Sequence, residues 1–170
     1  MEPLTFIGLP LSTRAKNKGM ISAVKVLREA RITNGLRKNV GTFVDVGDVR
    51  LSEIDVDSGP KNLTNFRQFL QDSEKIRSAI SGVCAKGLVF GLGGECSICV
   101  GTLAGLKVRG RGQLGMVWID AHGDFNTPET TPSGFIGGMC LAFACGRGRQ
   151  LNPSLPKRTS FTLRAERLTR

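Results

Sequence analysis

Short apolar runs separated by amphipathic stretches set the tightest limit on what this chain folds into. Thr5-Phe6-Ile7-Gly8, Thr42-Phe43-Val44-Asp45, Leu88-Val89-Phe90-Gly91 and Met116-Val117-Trp118-Ile119 have strand length and strand composition. Between them lie helical patterns. Ile21, Val24 and Leu27 recur at a three-residue spacing after Gly19, and Phe66, Phe69, Leu70, Ser73, Ile76 and Ile80 mark one face of a long helix. Further helices are predicted over Ser97 to Lys107 and Ile136 to Cys145, and Ser52 to Pro60 is an acidic, polar loop. Strand and helix patterns in alternation predict an α/β domain with a mainly parallel sheet. The runs at 88–91 and 116–119 are continuously apolar, which predicts strands buried on both faces.

Composition narrows the function classes. A chain of 170 residues has room for one domain and one core. No apolar run approaches the roughly 18 residues of a membrane span. The N-terminus carries an acid and no basic region before an apolar stretch, so no secretory signal is expected. The five cysteines are then read as reduced thiols, and the cytoplasm is the expected compartment. The net charge of +10 suggests nucleic acid until it is mapped: +6 falls between Arg147 and Arg170, and the rest of the chain carries only +4. Such a tail binds polyanions non-specifically. It has no aromatic series or reading motif, so no specific nucleic-acid partner is expected.

Chemistry concentrates at Asp120-Ala121-His122-Gly123-Asp124, directly after a predicted strand. In extended backbone alternate side chains share a face, so Asp120, His122 and Asp124 are placed to converge. The carboxyl ends of parallel strands are where open α/β sheets build their sites. Two carboxylates and an imidazole suit a divalent ion such as Mn, Fe or Zn. The blander reading is a strand-to-loop junction in which Asp caps a turn and His fills a gap. A second candidate is Gly93-Gly94-Glu95-Cys96-Ser97, a tight strand-to-helix turn that sets Cys96 near a helix N-terminus, where a thiolate is favoured. Cys96 and Cys99 also read as a C-x-x-C redox pair, although Cys99 sits among small and apolar residues and is better read as a core thiol. A four-cysteine zinc site drawing on Cys140 and Cys145 fits no known knuckle spacing. The third candidate, Asn126 to Gly134, is a polar loop rich in Thr and Pro, rich in donors for a carboxylate.

In this order and spacing the three elements resemble the arginase/agmatinase (ureohydrolase) family. The family's first metal motif is Gly-Gly-Asp-His-Ser, where this chain has Gly93-Gly94-Glu95-Cys96-Ser97; its second, Asp-Ala-His-x-Asp, is matched in full by Asp120 to Asp124. Phe6-Ile7-Gly8-Leu9-Pro10, Gly19, Leu27-Arg28 and Val46-Gly47-Asp48 also fit, so the resemblance covers about residues 4–148. It implies a three-layer arginase-like fold, here reaching about the fourth strand. It implies hydrolysis of a linear C–N bond in a small guanidino substrate, with no membrane partner and with oligomer formation left open. In the family's arrangement Asp120 bridges two Mn²⁺ ions, Asp124 binds one and orients the bridging hydroxide, and His122 binds the other. Close cations lower the pKa of a shared water, which attacks the guanidinium carbon to release urea. Asn126, Thr131 and Ser133 grip the carboxylate side of the substrate.

Three departures temper that implication. Cys96 replaces the first-motif His, and a soft thiolate favours zinc over manganese. The family's loop His falls at Gly137, and no Asp follows Asp124 to supply the later Asp-x-Asp pair. At most one ion is therefore expected to bind, with zinc competing, and a non-catalytic remnant is the alternative reading. Residues 149–170 form a basic tail unlike the family. One permitted back-translation of 157–170, read one nucleotide on, gives a β-favouring apolar string like the family's next strand, so a reading-frame shift is expected at the tail. Such a shift would leave a sheet edge uncovered and prone to aggregation.

Overall fold

The computed structural model describes residues 3–83, 87–109 and 114–147. The tail at 149–170 lies outside the described residues. Strand β1 (Leu4–Leu9) leads through a short 3₁₀ turn to helices α1 (Lys18–Glu29) and α2 (Ile32–Lys38). Strand β2 (Phe43–Asp48), helix α3 (Phe66–Gly82), strand β3 (Leu88–Gly93) and helix α4 (Ile98–Arg109) follow, and a 3₁₀ turn at Gly137–Met139 opens the short helix α5 (Cys140–Ala144). No described helix is long and apolar enough to cross a membrane.

The three strands form a parallel sheet in the order β2-β1-β3. As the central strand, β1 is buried along its whole length, and its alternate side chains feed two different layers. On one face Phe6 stacks on Phe90 at 5.7 Å and lies 6.1 Å from Phe43, with Val24 of α1 buried on the same side of Gly8. On the other, Ile7 and Leu9 join Phe69, Ile76 and Ile80 of α3 in one apolar core. Helices on both faces of a parallel sheet make the three-layer α/β arrangement that the alternation predicts.

Arg28 ties α1 to the sheet. Its guanidinium lies 4.6 Å from the centre of the Phe6 ring, donates to both oxygens of Asp45 at 2.6 and 3.1 Å, and donates from Nε to Asp48 at 2.8 Å. That contact holds the Asp45 carboxyl below the usual carboxylate range, against the upward push of partial burial. Arg28→Ala is expected to lower the unfolding free energy by about 1–2 kcal/mol, because the ion pairs are partly exposed and the ring contact adds modestly. The sign with pH follows from the depressed value: the Asp45 contribution is present above the ordinary carboxylate range and is lost as pH falls through the folded value. Urea denaturation should therefore show the Arg28→Ala deficit at neutral pH and a smaller one in acid. Equal midpoints at neutral pH would contradict this.

The fold departs from the sequence reading in four places. Helix α2 has no buried residue, and without an apolar stripe its period left no signal. The predicted helix over Ile136 to Cys145 shortens to a 3₁₀ turn and five residues, since Gly137 and Gly138 weaken its first turn. Among the described residues strand β3 pairs only with β1, and Leu88 at its start is 60% exposed. Met116–Ile119, the fourth predicted strand, pairs with none of the described strands, and Val117 and Ile119 are 87% and 93% exposed. Its composition suits a strand flanked by neighbours and covered on both faces. The described residues supply neither.

Candidate metal centre

Three segments build the candidate site. The first is the turn between β3 and α4, where the N–H groups of Ile98, Cys99 and Val100 bond to the carbonyls of Glu95, Cys96 and Ser97 at 3.3, 3.0 and 3.3 Å. These tight bonds set Cys96 at the mouth of α4. Beside it the Ser97 hydroxyl donates to the Glu95 carboxylate, and both residues are buried.

The second segment is Asp120 to Asp124. Asp120 accepts the His122 backbone N–H at 2.9 Å and lies 3.4 Å from its Nδ1, and the His122 side chain is 81% exposed. Asp124 engages a different set of groups. It is buried, with φ +45°, a left-handed backbone that costs a non-glycine residue of order 1 kcal/mol or more. Two hydrogen bonds hold it there, as its carbonyl accepts the N–H groups of Leu141 at 3.1 Å and Ala142 at 3.3 Å. The third segment is α5 and the turn before it. Cys140, fully buried at the start of α5, points its thiol at Asp124 Oδ2 at 3.9 Å. Cys96 donates its thiol to the Gly137 carbonyl at 3.6 Å.

The structure thus gathers Cys96, Asp124 and Cys140, whose ligand atoms all lie within 4.8 Å of one another. It does not bring Asp120 and His122 into that group. The alternation that placed all three motif residues on one face holds only for extended backbone, and the positive φ of Asp124 breaks it. Cys145 also lies outside the cluster. At Cys96 the surroundings act against the thiolate that a helix N-terminus favours. Its neighbour Cys140, then burial, then the Asp124 charge push the Cys96 thiol far above the ordinary range. Cys140 is raised too: Cys96 pulls it down, but Cys99, burial and the Asp124 charge outweigh that. Cys140 was weighed in the sequence only as part of a four-cysteine zinc site and set aside on spacing, which says nothing about a thiol brought to Asp124 by a distant helix.

The polar loop is arranged in a telling way. Asn126 Oδ1 accepts the Thr130 hydroxyl at 3.2 Å. Thr131 Oγ1 accepts the N–H groups of Ser133 and Gly134 at 3.4 and 3.0 Å. Ser133 Oγ accepts the Phe135 N–H at 3.3 Å. In each case the acceptor is used internally, which leaves the amide or hydroxyl protons to donate elsewhere. Arg14, which sequence reasoning passed over, reaches this loop from the other end of the chain. It donates to the Ser133 carbonyl, bonds Thr64 Oγ1 at 3.4 Å and pairs with Asp57 at 3.7 Å. A groove of about 470 Å³ between β2 and the end of α3, lined by Val44, Val46, Ala79 and Val83 among others, contains none of these residues.

Among the described residues the donors brought together do not fit two manganese ions. Manganese takes oxygen and nitrogen ligands, whereas the buried cluster offers two sulfurs and one carboxylate, and Asp120 and His122 pair with each other outside it.

Comparison with known proteins places the chain. The family model described as Arginase family matches residues 2–155. The arginase of Bacillus caldovelox is 34% identical over 151 residues, covering 87% of this chain and 50% of that protein. Human arginase-1 is 31% identical over 151 residues, covering 88% of this chain and 47% of its own length. The native crystal structure of the Bacillus caldovelox enzyme superimposes with a TM-score of 0.76 at 35% identity, over 86% of this chain and 50% of that one. Entamoeba histolytica arginase in complex with L-ornithine gives 0.77 at 30% identity, over 86% and 51%. The chain spans about half the length of the curated relatives it matches. Sequence motifs, parallel sheet and structural neighbours agree on one ancestry: this chain belongs to the arginase family.

Proposed function

We propose that this chain carries the substrate-gripping part of an arginase-type hydrolase acting on linear C–N bonds of guanidino compounds, and that it does not turn substrate over alone. The observation that carries the reading is the loop that directly follows Asp124, where the side-chain oxygens of Asn126, Thr131 and Ser133 accept bonds within the loop and leave their own protons for a ligand. Three neutral donors on one short loop suit a carboxylate acceptor. L-Ornithine, bound by the Entamoeba relative, is an amino acid that presents such a carboxylate.

The chemical step asks for more than this loop supplies. In the family's motifs Asp120, Asp124 and His122 would be ligands of two manganese ions, yet Cys96 stands in the first-motif His position and Gly137 in that of the loop His. The buried thiol cluster favours the second reading, a metal-binding domain without turnover. Amide NMR spectra separate loop function from mere ancestry. L-Arginine and L-ornithine are expected to shift the resonances of Asn126 to Ser133, and agmatine, which lacks the carboxylate, to leave them unmoved. Ser133→Ala should weaken the response about fivefold, the value of one neutral hydrogen bond. Equal shifts with agmatine, or no shift with any of the three, would overturn the reading.

A further inference from the structure

We infer that Cys96, Asp124 and Cys140 form a binding site for a single thiophilic divalent cation, zinc in the first instance, clamped between the start of α4 and the start of α5. This goes beyond the hydrolase reading and stands whether or not the loop binds an amino acid. Tetrahedral zinc with two sulfurs at about 2.3 Å and an oxygen at about 2.0 Å holds its donors about 3.5–3.8 Å apart. Here the Cys140 Sγ to Asp124 Oδ2 separation is 3.9 Å and no pair in the group exceeds 4.8 Å. Closing that gap takes small side-chain rotations.

The donors come from positions already fixed. Cys96 precedes α4 by two residues in a hydrogen-bonded turn, Cys140 opens α5, and Asp124 is locked to α5 through the N–H groups of Leu141 and Ala142. The strained backbone at Asp124 turns its carboxylate inward, towards the two thiols. Among the described residues no cationic side chain pairs with that buried carboxylate, although a buried charge calls for one. A bound cation supplies it, and as the metal–sulfur bonds form the two S–H protons pass to the buffer. Water, or the nearby Cys99, completes the fourth position. The softness of two thiolates selects zinc, cobalt or cadmium over manganese. Cys140 is the decisive residue, since without it the site reduces to one thiol and one carboxylate.

The test is a Co²⁺ titration of the full 170-residue chain, reduced with a phosphine. The expected result is a near-ultraviolet sulfur-to-cobalt charge-transfer band with tetrahedral visible bands, saturating at one ion per chain, displaced by Zn²⁺ and untouched by Mn²⁺. Cys140→Ser and Cys96→Ser should each weaken binding about a hundredfold, one ligand's share of a structural zinc site. Cys145→Ser should leave it unchanged. Circular dichroism of each variant confirms folding, and Cys96→Ser, the less buried position, keeps the test valid if Cys140→Ser unfolds. Absence of the charge-transfer band, its persistence in folded Cys96→Ser, or equal displacement by Mn²⁺ would overturn the site. So would a Cys96–Cys140 disulfide whose reduction restores no metal binding.

Discussion

Replacing Gly101 and Gly105 together by alanine is expected to destabilise the chain by several kcal/mol, even though both positions are helical. Propensity alone argues the reverse, since alanine is favoured over glycine in a helix interior by about 0.8–1 kcal/mol per residue. Packing decides the sign. The two glycines lie one turn apart on α4 and face α3. A Cβ at Gly101 would sit 2.5 Å from the Ser73 carbonyl oxygen and 2.8 Å from Ile76 Cβ; at Gly105 it would sit 2.7 Å from both the Arg77 carbonyl oxygen and Ile80 Cβ. Backbone carbonyls cannot swing aside, so the helices must separate. Separation loosens Ile76 and Ile80, both fully buried in the main core. Overpacking typically costs about 1–3 kcal/mol per site, and here two sites act on one interface, which outweighs the propensity gain. Urea denaturation should show a clear fall in midpoint. A midpoint equal to or above that of the parent chain would mean that α3 and α4 are not packed as described.

The same glycines show where the sequence was legible and where it was not. The stripe recurring every three or four residues from Phe66 to Ile80 announced α3, because burial of one face leaves its mark on composition. The Gly101/Gly105 pair went unread, since small residues record a close approach and not a period. Strand β1 was visible as an apolar run and proved central. Met116–Ile119 was equally visible, yet the run records the surroundings a strand needs and does not guarantee them; its unpaired state is a fact of pairing that no local pattern encodes. At the site, Asp120 to Asp124 could be found by spacing. The parting of Asp124 from Asp120 and His122 could not, because it depends on one left-handed residue held by the N-terminus of α5. Cys140 and Arg14 share that character: each reaches its partners through tertiary contact, Arg14 across 119 residues to Ser133.

The largest expected effect is on turnover. A dinuclear hydrolase centre depends on carboxylates that span both ions and on a water held between them. In this chain Cys96 stands at the first-motif His position, Asp124 is turned to two thiols and Asp120 is engaged with His122. Losing even an outer-shell partner costs such centres about 10–100-fold, so the loss of several direct ligands should remove measurable rate. Urea release from L-arginine by the purified 170-residue chain, with manganese in excess, tests this most directly. The account predicts a rate indistinguishable from that of Asp124→Ala. Manganese-dependent urea release that disappears in Asp124→Ala would contradict it.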